Sequence, residues 1–296
     1  MTAPADASSP ALPDRYAVLG HPVAHSQSPF IHAEFARQTG EAMVYGRVEC
    51  PVDGFEAAVR AFIAGGDARA GQGRAGGCNI TVPFKLQVLP LAARASDRAL
   101  LAQAANVLRF DANGWFADNT DGSGLVRDLQ QHAGLQLAGC RTLLIGAGGA
   151  AAGVLGPLIE AGCGAITVAN RTPAKALALV QRHADWAAQH GVTLAASGLA
   201  DAGTGFDLVI NSSASSLAGA AVPVPASVLR PGALAIDLMY GAAAQPFLDW
   251  AKAHGAVGRD GLGMLVEQAA GAFALWRGVM PQTPPVLAAL RARLKA

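Results

Sequence analysis

A lysine and an aspartate mark the part of the chain where a proton could be moved. Lys85 follows a predicted strand in which Asn79 and Thr81, two residues apart, point to the same face. Asp121 stands just before a predicted helix over residues 123–132. An amine that donates a proton, beside a carboxylate that orients a substrate hydroxyl, is an arrangement suited to general acid–base catalysis.

The local setting of Lys85 leaves two interpretations open. Pro83 is predicted to open a helix after the strand Cys78–Val82, which places Lys85 in the first helical turn. The positive helix end disfavours a cation there by a few tenths to about 1 kcal/mol, a cost that a surface lysine tolerates. In a cleft the same field would lower the lysine pKa, whereas pairing with Asp121 would raise it. Asp121 could equally serve only as the N-cap of its own helix.

Two hydroxyl groups precede a helix near the N-terminus. The segment Ser26-Gln27-Ser28-Pro29 predicts a helix over 29–38, with Ser28 as N-cap and Pro29 in the first helical position. The N-cap role accounts for Ser28 and leaves Ser26 unexplained. A pair of hydroxyls at the positive end of a helix suits a small carboxylate.

No metal site is predicted. Three histidines lie near this helix, but their spacing does not place two of them on one helix face beside a carboxylate ligand: His21, His25 and His32. The cysteines are widely spaced and form no Cys-x-x-Cys pair: Cys50, Cys78, Cys140 and Cys163. They are expected to be small buried side chains in a reducing compartment, which indicates the cytoplasm.

A glycine-rich turn between a strand and a helix predicts a dinucleotide site. The strand 142–145 leads directly into the run Gly146-Ala147-Gly148-Gly149-Ala150. In such a turn the backbone can approach a pyrophosphate, whose charge then lies at the helix N-terminus. The next strand, 165–169, ends in a basic cluster rather than in the acidic residue typical of an NAD site: Asn170, Arg171, Thr172 and Lys175. The cluster suits a 2′-phosphate, so the sequence predicts NADP as the cofactor.

Simpler explanations exist for the same residues. The glycines could form the tight turn of any α/β protein, and Arg171 and Lys175 could be solvated surface charges. Residues 142–159 carry no charge and reach the length of a membrane-spanning segment. Because five glycines and a proline interrupt that stretch, we expect a strand, a turn and a buried helix instead.

The composition excludes several functional classes. Of the 296 residues, 52% are hydrophobic and 15% are charged, and the net charge is +1. So high a hydrophobic fraction excludes disorder over most of the length. The small net charge argues against general binding to nucleic acids or anionic membranes. Residues 1–13 lack the apolar core and the basic residues of a signal peptide, and they are expected to form a disordered tail.

A change of pattern near residues 121–122 predicts two domains. Before it, short strands and helices include a hairpin at Asn113-Gly114. After it, strands and helices alternate regularly, which indicates a doubly wound parallel sheet with helices on both faces. The predicted strands of this second part are 142–145, 165–169, 192–195, 207–210 and 234–237. Helices over 262–277 and 285–294 follow, and a ligand cleft is expected at the domain junction.

In their order, these motifs resemble those of the shikimate dehydrogenase family, from Tyr16 to the C-terminus. They are specific as a set: Gly20-His21-Pro22, His25 to Pro29, Asn79 to Lys85, Asn119 to Gly122, Gly146 to Ala150, Asn170 to Thr172, and Asp260 to Val266. The resemblance implies an α/β fold with an N-terminal α/β substrate domain and a Rossmann-type NADP domain. It divides the chain into a disordered tail (1–13), a substrate-binding catalytic domain (14–121), an NADP-binding domain (122–260), and C-terminal helices that pack back on the substrate domain (261–296).

The resemblance also implies the activity and the substrate residues. The family reversibly reduces 3-dehydroshikimate to shikimate with NADPH, a step of aromatic amino-acid biosynthesis. Lys85 would be the general acid/base and Asp121 its partner. Carried over by position, the substrate residues are Ser26, Ser28 and Tyr240 for the carboxylate, Thr81, Asn106, Asp121 and Gln268 for the ring hydroxyls, and Asn79 in the site wall. The partner would be this small molecule, and the enzyme would be a monomer or a homodimer.

The cofactor residues follow in the same way. The resemblance assigns Gly146, Ala147, Gly148, Gly149 and Ala150 to the pyrophosphate, and Asn170, Arg171, Thr172 and Lys175 to the adenosine phosphate end. Leu238 and Gly261 would contact the nicotinamide half through backbone atoms, and Asp97 matches a position that is sometimes assigned to cofactor contact.

The chain departs from the usual family pattern at a few positions. Val107 stands beside Asn106 where threonine is common, so one hydroxyl is lost. Ser216 replaces a glycine, Lys175 stands where arginine is frequent, and the loop 65–77 is longer than usual. Two alternatives therefore stay open: a quinate/shikimate dehydrogenase that uses NAD, and a catalytically idle paralogue that responds to nucleotides.

Overall fold

Two sheets organise the chain. The computed structural model describes residues 12–65, 73–213 and 222–295. Within these ranges, each sheet gathers strands that are continuous in sequence, and helices cover the sheets.

The first sheet is mixed. Its strands are β1 (Asp14–Gly20), β2 (Met43–Glu49), β3 (Ala75–Ile80), β4 (Arg94–Ala95), β5 (Val107–Asp111) and β6 (Gly114–Asp118). They lie in the order β2-β1-β3-β5-β6-β4, with β1 parallel to β2 and β3. The strands β5 and β6 form the predicted hairpin, in which Asp111 pairs with Gly114. The helices of this part are α1 (Ser28–Thr39), α2 (Phe55–Ala64) and α3 (Asp97–Ala102).

The second sheet is parallel throughout its described pairings. Its strands are β7 (Arg141–Ile145), β8 (Ala165–Ala169), β9 (Thr193–Ser197), β10 (Phe206–Asn211), β11 (Leu229–Asp237) and β12 (Val257–Arg259). The order β12-β11-β10-β7-β8-β9 reverses direction beside β7, and ligands bind at such a switch point. The remaining helices are α4 (Asp121–Arg127), α5 (Gly149–Glu160), α6 (Pro173–Arg182), α7 (Ala184–Gln189), α8 (Gln245–Ala253), α9 (Leu262–Arg277) and α10 (Thr283–Lys295).

Apolar clusters fill both faces of the second sheet, which confirms the predicted doubly wound architecture. Leu144 and Ile166 belong to the cluster on one face, and Leu143 and Val209 to the cluster on the other. A further cluster joins α1 to α9 and α10, so the last two helices contact the first half of the chain. The domain boundary at residues 121–122 stays a prediction, because α4 packs against both α5 and α9.

The segment around Pro83 differs from the sequence-based prediction. The strand ends at Ile80, and Pro83 is followed by a short 3₁₀ turn, Phe84–Gln87, instead of an α-helix. The predicted placement of Lys85 in the first turn of an α-helix is therefore wrong, and no α-helix dipole acts on it there.

Smaller differences concern helix ends and loops. Ser28 is the first residue of α1, and Gln27 occupies the N-cap position without a side-chain cap. The helix predicted over 123–132 begins at Asp121 and continues past Arg127 as a π-helical turn. Of the predicted loop 65–77, residues 75–77 belong to β3, and residues 66–72 lie outside the described residues.

The uncharged stretch 142–159 forms β7, the glycine turn and most of α5, as predicted. Among the described residues, every helix is too short or too polar to cross a membrane.

Candidate active site

Lys85 and Asp121 form an ion pair at the junction of the two halves. Lys85 lies in the 3₁₀ turn after β3, and Asp121 is the first residue of α4. Lys85 Nζ is 2.5 Å from Asp121 Oδ2, and the two side chains are 17% and 5% exposed. The backbone N–H of Ala105 donates to the Lys85 carbonyl oxygen at 2.9 Å, which fixes the turn. An amine that is held by a carboxylate and still partly exposed can deliver and accept a proton.

Asn106 connects this pair to α9. Its Nδ2 donates to Asp121 Oδ1 at 2.8 Å and to Gln268 Oε1 at 3.0 Å, and it lies 3.1 Å from Thr120 Oγ1. Its Oδ1 accepts from the Thr120 backbone N–H at 2.8 Å. Gln268 is held in turn by a hydrogen bond from its Nε2 to the Leu265 carbonyl oxygen. Three elements that are distant in sequence therefore present polar atoms to one site.

Residues from the end of β3 join the same network. Asn79 Nδ2 donates to the backbone oxygen of Asn106 at 3.2 Å, and Asn79 Oδ1 accepts from the Tyr45 hydroxyl at 2.7 Å. Thr81 follows the strand, and its backbone N–H donates to the Leu19 carbonyl oxygen. The Asn79 side chain thus lies beside Asn106, whereas Thr81 follows the end of β3 and its side chain lies against Gly20.

The two serines meet at the start of α1. Ser26 Oγ is 3.1 Å from Ser28 Oγ, and it also accepts from the Ser28 backbone N–H at 3.3 Å. The guanidinium of Arg47 donates twice to the Ser26 carbonyl oxygen, at 2.6 and 3.1 Å. A local positive charge beside two hydroxyls at a helix N-terminus suits a carboxylate.

Tyr240, from the loop after β11, reaches the same place. Burial raises the pKa of Tyr240, and a hydrogen bond with the Gln27 backbone and the charge of Arg47 offset that shift only in part. Tyr240 therefore brings a neutral hydroxyl from the second half of the chain to the segment that contains the two serines.

The glycine turn has the shape that a pyrophosphate requires. Gly146 has a φ of 108°, a conformation that L side chains rarely adopt, and a Cβ there would lie 2.8 Å from Ser212 Oγ. Gly148 occupies the N-cap position of α5, and it has no side chain that could bind the first N–H groups of the helix. A Cβ at position 149 would lie 3.5 Å from the Cβ of Lys85. The predicted pyrophosphate site and the predicted proton donor are therefore neighbours.

The basic cluster lies next to this turn. The Gly146 backbone N–H donates to the Ala169 carbonyl oxygen at 2.8 Å, which ties the turn to the end of β8. Asn170 Nδ2 donates to the Thr172 carbonyl oxygen, and Thr172 occupies the N-cap position of α6 without a side-chain capping bond. Arg171 and Lys175 are exposed on the loop and on the first turn of α6. These residues fit the adenosine phosphate end of NADP.

Leu238 and Gly261 lie close together at the carboxyl end of β11. The Gly261 backbone N–H donates to the Met239 carbonyl oxygen at 2.8 Å, and the Leu238 N–H donates to the Asn211 oxygen at 2.9 Å. Their backbone atoms are thus placed at the end of the sheet where a cofactor is expected.

Asp97 does not lie with the other predicted cofactor residues. It begins α3 and lines a pocket with Glu160 and Trp186. Glu160 is the last residue of α5, whereas the glycine turn leads into the first residue of this helix, Gly149. At 1.5 Å per residue these two ends are roughly 17 Å apart. The structure therefore separates Asp97 from the glycine turn.

Three residues of the site were missed from the sequence: His32, Tyr45 and Arg47. Tyr45 and Arg47 alternate on β2, and this polar alternation on one strand was the available signal. His32 is fully buried and stacks on Tyr45, whereas His21 pairs with Glu49 at 2.8 Å. The described residues contain no cluster of three or more metal-ligating side chains. Ser216 lies outside the described residues.

Comparisons with known proteins match the whole length of this arrangement. Residues 18–108 match the family model of the shikimate dehydrogenase substrate binding domain, residues 128–219 that of shikimate / quinate 5-dehydrogenase, and residues 261–291 that of the shikimate 5′-dehydrogenase C-terminal domain. The NADP⁺-dependent shikimate dehydrogenase of Methylibium petroleiphilum is 64% identical over 287 residues, which cover 97% of each chain.

Two solved structures share the fold. An Ael1 enzyme from Pseudomonas putida aligns with a TM-score of 0.82 and 44% identity over 94% of this chain and 98% of its own. Shikimate 5-dehydrogenase from Thermus thermophilus, in complex with NADP(H) and shikimate, aligns with a TM-score of 0.75 and 30% identity over 94% and 99%.

Proposed function

The chain belongs to the shikimate dehydrogenase family, and we propose that it catalyses the reversible NADP-linked reduction of 3-dehydroshikimate to shikimate. The observation that carries the proposal is the Lys85–Asp121 pair beside the glycine turn. A proton donor and a nucleotide turn at one place are what the reduction of a carbonyl requires.

Lys85 supplies the proton in this reaction. Reduced nicotinamide, when bound, supplies the hydride for the C3 carbonyl. Lys85 Nζ donates a proton to the carbonyl oxygen, and in the reverse direction it removes the proton from the C3 hydroxyl. Asp121 holds the lysine amine through Oδ2 while Asn106 occupies its Oδ1, so the amine is kept in one position.

The remaining polar side chains orient the substrate. Ser26 and Ser28, with Tyr240, bind the carboxylate, and the charge of Arg47 behind them favours that anion. The ring hydroxyls and the wall of the site are assigned to Asn79, Thr81, Asn106 and Gln268, of which Asn106 contacts Asp121 directly. Because the carboxylate and ring hydroxyls are contacted from both halves of the chain, only one orientation presents C3 to Lys85.

NADP binding is assigned to the turn and to the basic cluster. Gly146 to Ala150 receive the pyrophosphate, and the residues from Asn170 to Lys175 receive the 2′-phosphate end. The backbone of Leu238 and Gly261 borders the nicotinamide half. Arg171 contributes a planar guanidinium and Lys175 a point charge, which together favour NADP over NAD.

The domain division, compartment and oligomeric state belong to the same proposal. We place the substrate domain at 14–121, the NADP domain at 122–260 and the returning helices at 261–296. The four cysteines are buried free thiols, and burial raises the pKa of Cys163 to about 11. Unreactive thiols of this kind suit a cytoplasmic enzyme, which acts as a monomer or a homodimer.

The test is the absorbance of reduced nicotinamide with shikimate or quinate, each with NADP and with NAD. Shikimate turnover chiefly with NADP is expected, and Lys85→Ala should lower kcat by about 10²–10⁴-fold. Lys252→Ala, which removes a lysine from the last turn of α8, is the matched control and should retain wild-type rates.

Three results would contradict the proposal. Preference for quinate with NAD would favour the quinate/shikimate alternative. Cofactor binding by calorimetry without turnover of either substrate would favour the idle paralogue. Retention of most of kcat in Lys85→Ala would remove the lysine from the proton transfer.

A further inference from the structure

Tyr45 lies between the two ends of the proposed substrate site. It belongs to β2, and its hydroxyl donates to Asn79 Oδ1 at 2.7 Å. That contact crosses the intervening strand β1, since β1 pairs with β2 on one side and with β3 on the other. The Tyr45 hydroxyl also lies beside the hydroxyl of Ser28, which opposes the burial-driven rise in the pKa of Tyr45. One phenol therefore contacts a carboxylate-binding residue and a wall residue together.

The hydrogen bonds of Asn79 fix which way its amide points. Asn79 Nδ2 faces the backbone oxygen of Asn106, which can only accept. The amide oxygen must then face the Tyr45 hydroxyl, and the hydroxyl holds it there as a donor. From Asn106 the chain of hydrogen bonds continues to Asp121 and Lys85. Tyr45 is the far end of a connected series that finishes at the proton donor.

The Tyr45 ring is itself held in place. His32 stacks on it with centroids 4.2 Å apart and an interplanar angle of 8°. Burial lowers the pKa of His32 to about 3, and the nearby Asn79 side chain opposes that shift only in part. The His32 ring is therefore neutral at ordinary pH and acts on Tyr45 as a flat, uncharged support.

We propose that Tyr45 is a positioning residue for the shikimate site: its hydroxyl sets the orientation of the Asn79 amide, and His32 sets the position of its ring. This inference rests on the proposed function. Tyr45 acts through Asn79 and Ser28 on substrate binding, and its hydrogen-bond and ring partners in the described part of the chain do not include the proposed cofactor residues. Its loss should therefore change the kinetics for shikimate and leave those for NADP unchanged.

The test is Tyr45→Phe, which keeps the ring and removes the hydroxyl. We expect kcat/KM for shikimate to fall by about 3- to 10-fold, the effect of one neutral hydrogen bond, with the KM for NADP unchanged. Tyr16→Phe is the matched control, because Tyr16 pairs with Tyr45 in the sheet register, but its ring packs against Trp276 at an interplanar angle of 31° and its hydroxyl accepts from Arg277 at 3.4 Å. It should retain wild-type kinetics.

A second variant separates positioning from a general effect on folding. If Tyr45 acts through Asn79, Tyr45→Phe should change kcat/KM by less than about 2-fold once Asn79→Ala is present. Equal effects of Tyr45→Phe in both backgrounds, a parallel rise in the KM for NADP, or the same loss in Tyr16→Phe would overturn the assignment. If the wild type does not turn over shikimate, both the proposed function and the role of Tyr45 are wrong. If the wild type is active and Tyr45→Phe has the same kcat/KM for shikimate, only the role of Tyr45 is wrong.

Discussion

Replacing His32 by phenylalanine is expected to remove a large part of the acid sensitivity of folding. His32 is fully buried, and neither ring nitrogen has a hydrogen-bond partner of normal geometry among the described residues, although the Asn79 side chain lies close enough to oppose part of the pKa shift. Tyr45 is the titratable ring packed against it, and the other ring contacts are Phe35, Phe273 and Trp276. Because burial lowers the pKa of His32 to about 3, the folded protein keeps this imidazole neutral between pH 7 and pH 5.

The magnitude follows from the proton affinities of the folded and unfolded states. In the unfolded chain the imidazole has its ordinary pKa of about 6.5, so below that pH the unfolded state binds a proton that the folded state does not. Stability from this group is complete above about pH 7, and it is lost at about 1.4 kcal/mol per pH unit as the pH falls from 6.5 towards 3. Between pH 7 and pH 5 the loss is about 2 kcal/mol.

Urea unfolding at pH 7 and pH 5, followed by tryptophan fluorescence, measures this loss. The difference in the free energy of unfolding between the two pH values should be about 2 kcal/mol smaller in His32→Phe than in the wild type. Tyr45→Phe should retain the wild-type difference, since burial raises the pKa of that phenol even further from this range. Burial also lowers the pKa of His183. Because His183 is present in the wild type and in both variants, its contribution to the pH difference cancels when the three proteins are compared. An unchanged pH difference in His32→Phe would contradict the assignment of this loss of stability to His32.

Two further substitutions test the cofactor cluster and the packing around Gln268. Arg171→Ala should raise the KM for NADP about tenfold and leave the KM for NAD within about twofold, because only NADP carries the 2′-phosphate that the guanidinium binds. Steady-state kinetics with each cofactor measures the two KM values. Equal increases in both would contradict the assignment of Arg171 to the 2′-phosphate. Gly124→Ala should lower the free energy of unfolding by about 1–3 kcal/mol, since its Cβ would lie 2.6 Å from the Gln268 backbone nitrogen. Urea unfolding beside Gly46→Ala, whose methyl group would meet open space, measures that cost, and equal stability of the two variants would count against it.

Local patterns predicted the nucleotide half of the fold. The strand 165–169 and the helix 262–277 were predicted at their observed bounds, and the glycine turn falls between β7 and α5 as expected. Hydrophobic periodicity and glycine spacing act within a few residues, so they are visible in one sequence. The helix predicted after Pro83, which contains Lys85, was wrong, and the reason is also local. Pro90 follows closely and disfavours α-helix in the residue before it, so two short 3₁₀ turns form instead.

The parts of the site that depend on long-range packing were not predictable from spacing. Tyr45 reaches Asn79 across a strand, over 34 positions in sequence, and nothing in the local pattern of β2 indicates that partner. Arg47 contacts Ser26 in the same way, over 21 positions. Asp97 lies on α3, apart from the glycine turn, and its predicted cofactor contact stays a prediction. Side-chain partners between distant strands follow from the sheet order, which one sequence does not reveal.

The return of the last helices has a consequence for the order in which the protein folds during synthesis. Ile31 and Phe35 of α1 complete their apolar cluster only with Val266 and Phe273 of α9 and Leu290 of α10. At about 5–20 residues per second, the ribosome needs roughly 10–50 s to make the intervening chain. The apolar face of α1 therefore stays exposed during synthesis of this chain. The parallel sheet, whose strands are contiguous in sequence, can form in the meantime. The half made first is completed last, and its aggregation in the cell depends on how quickly the final helices arrive.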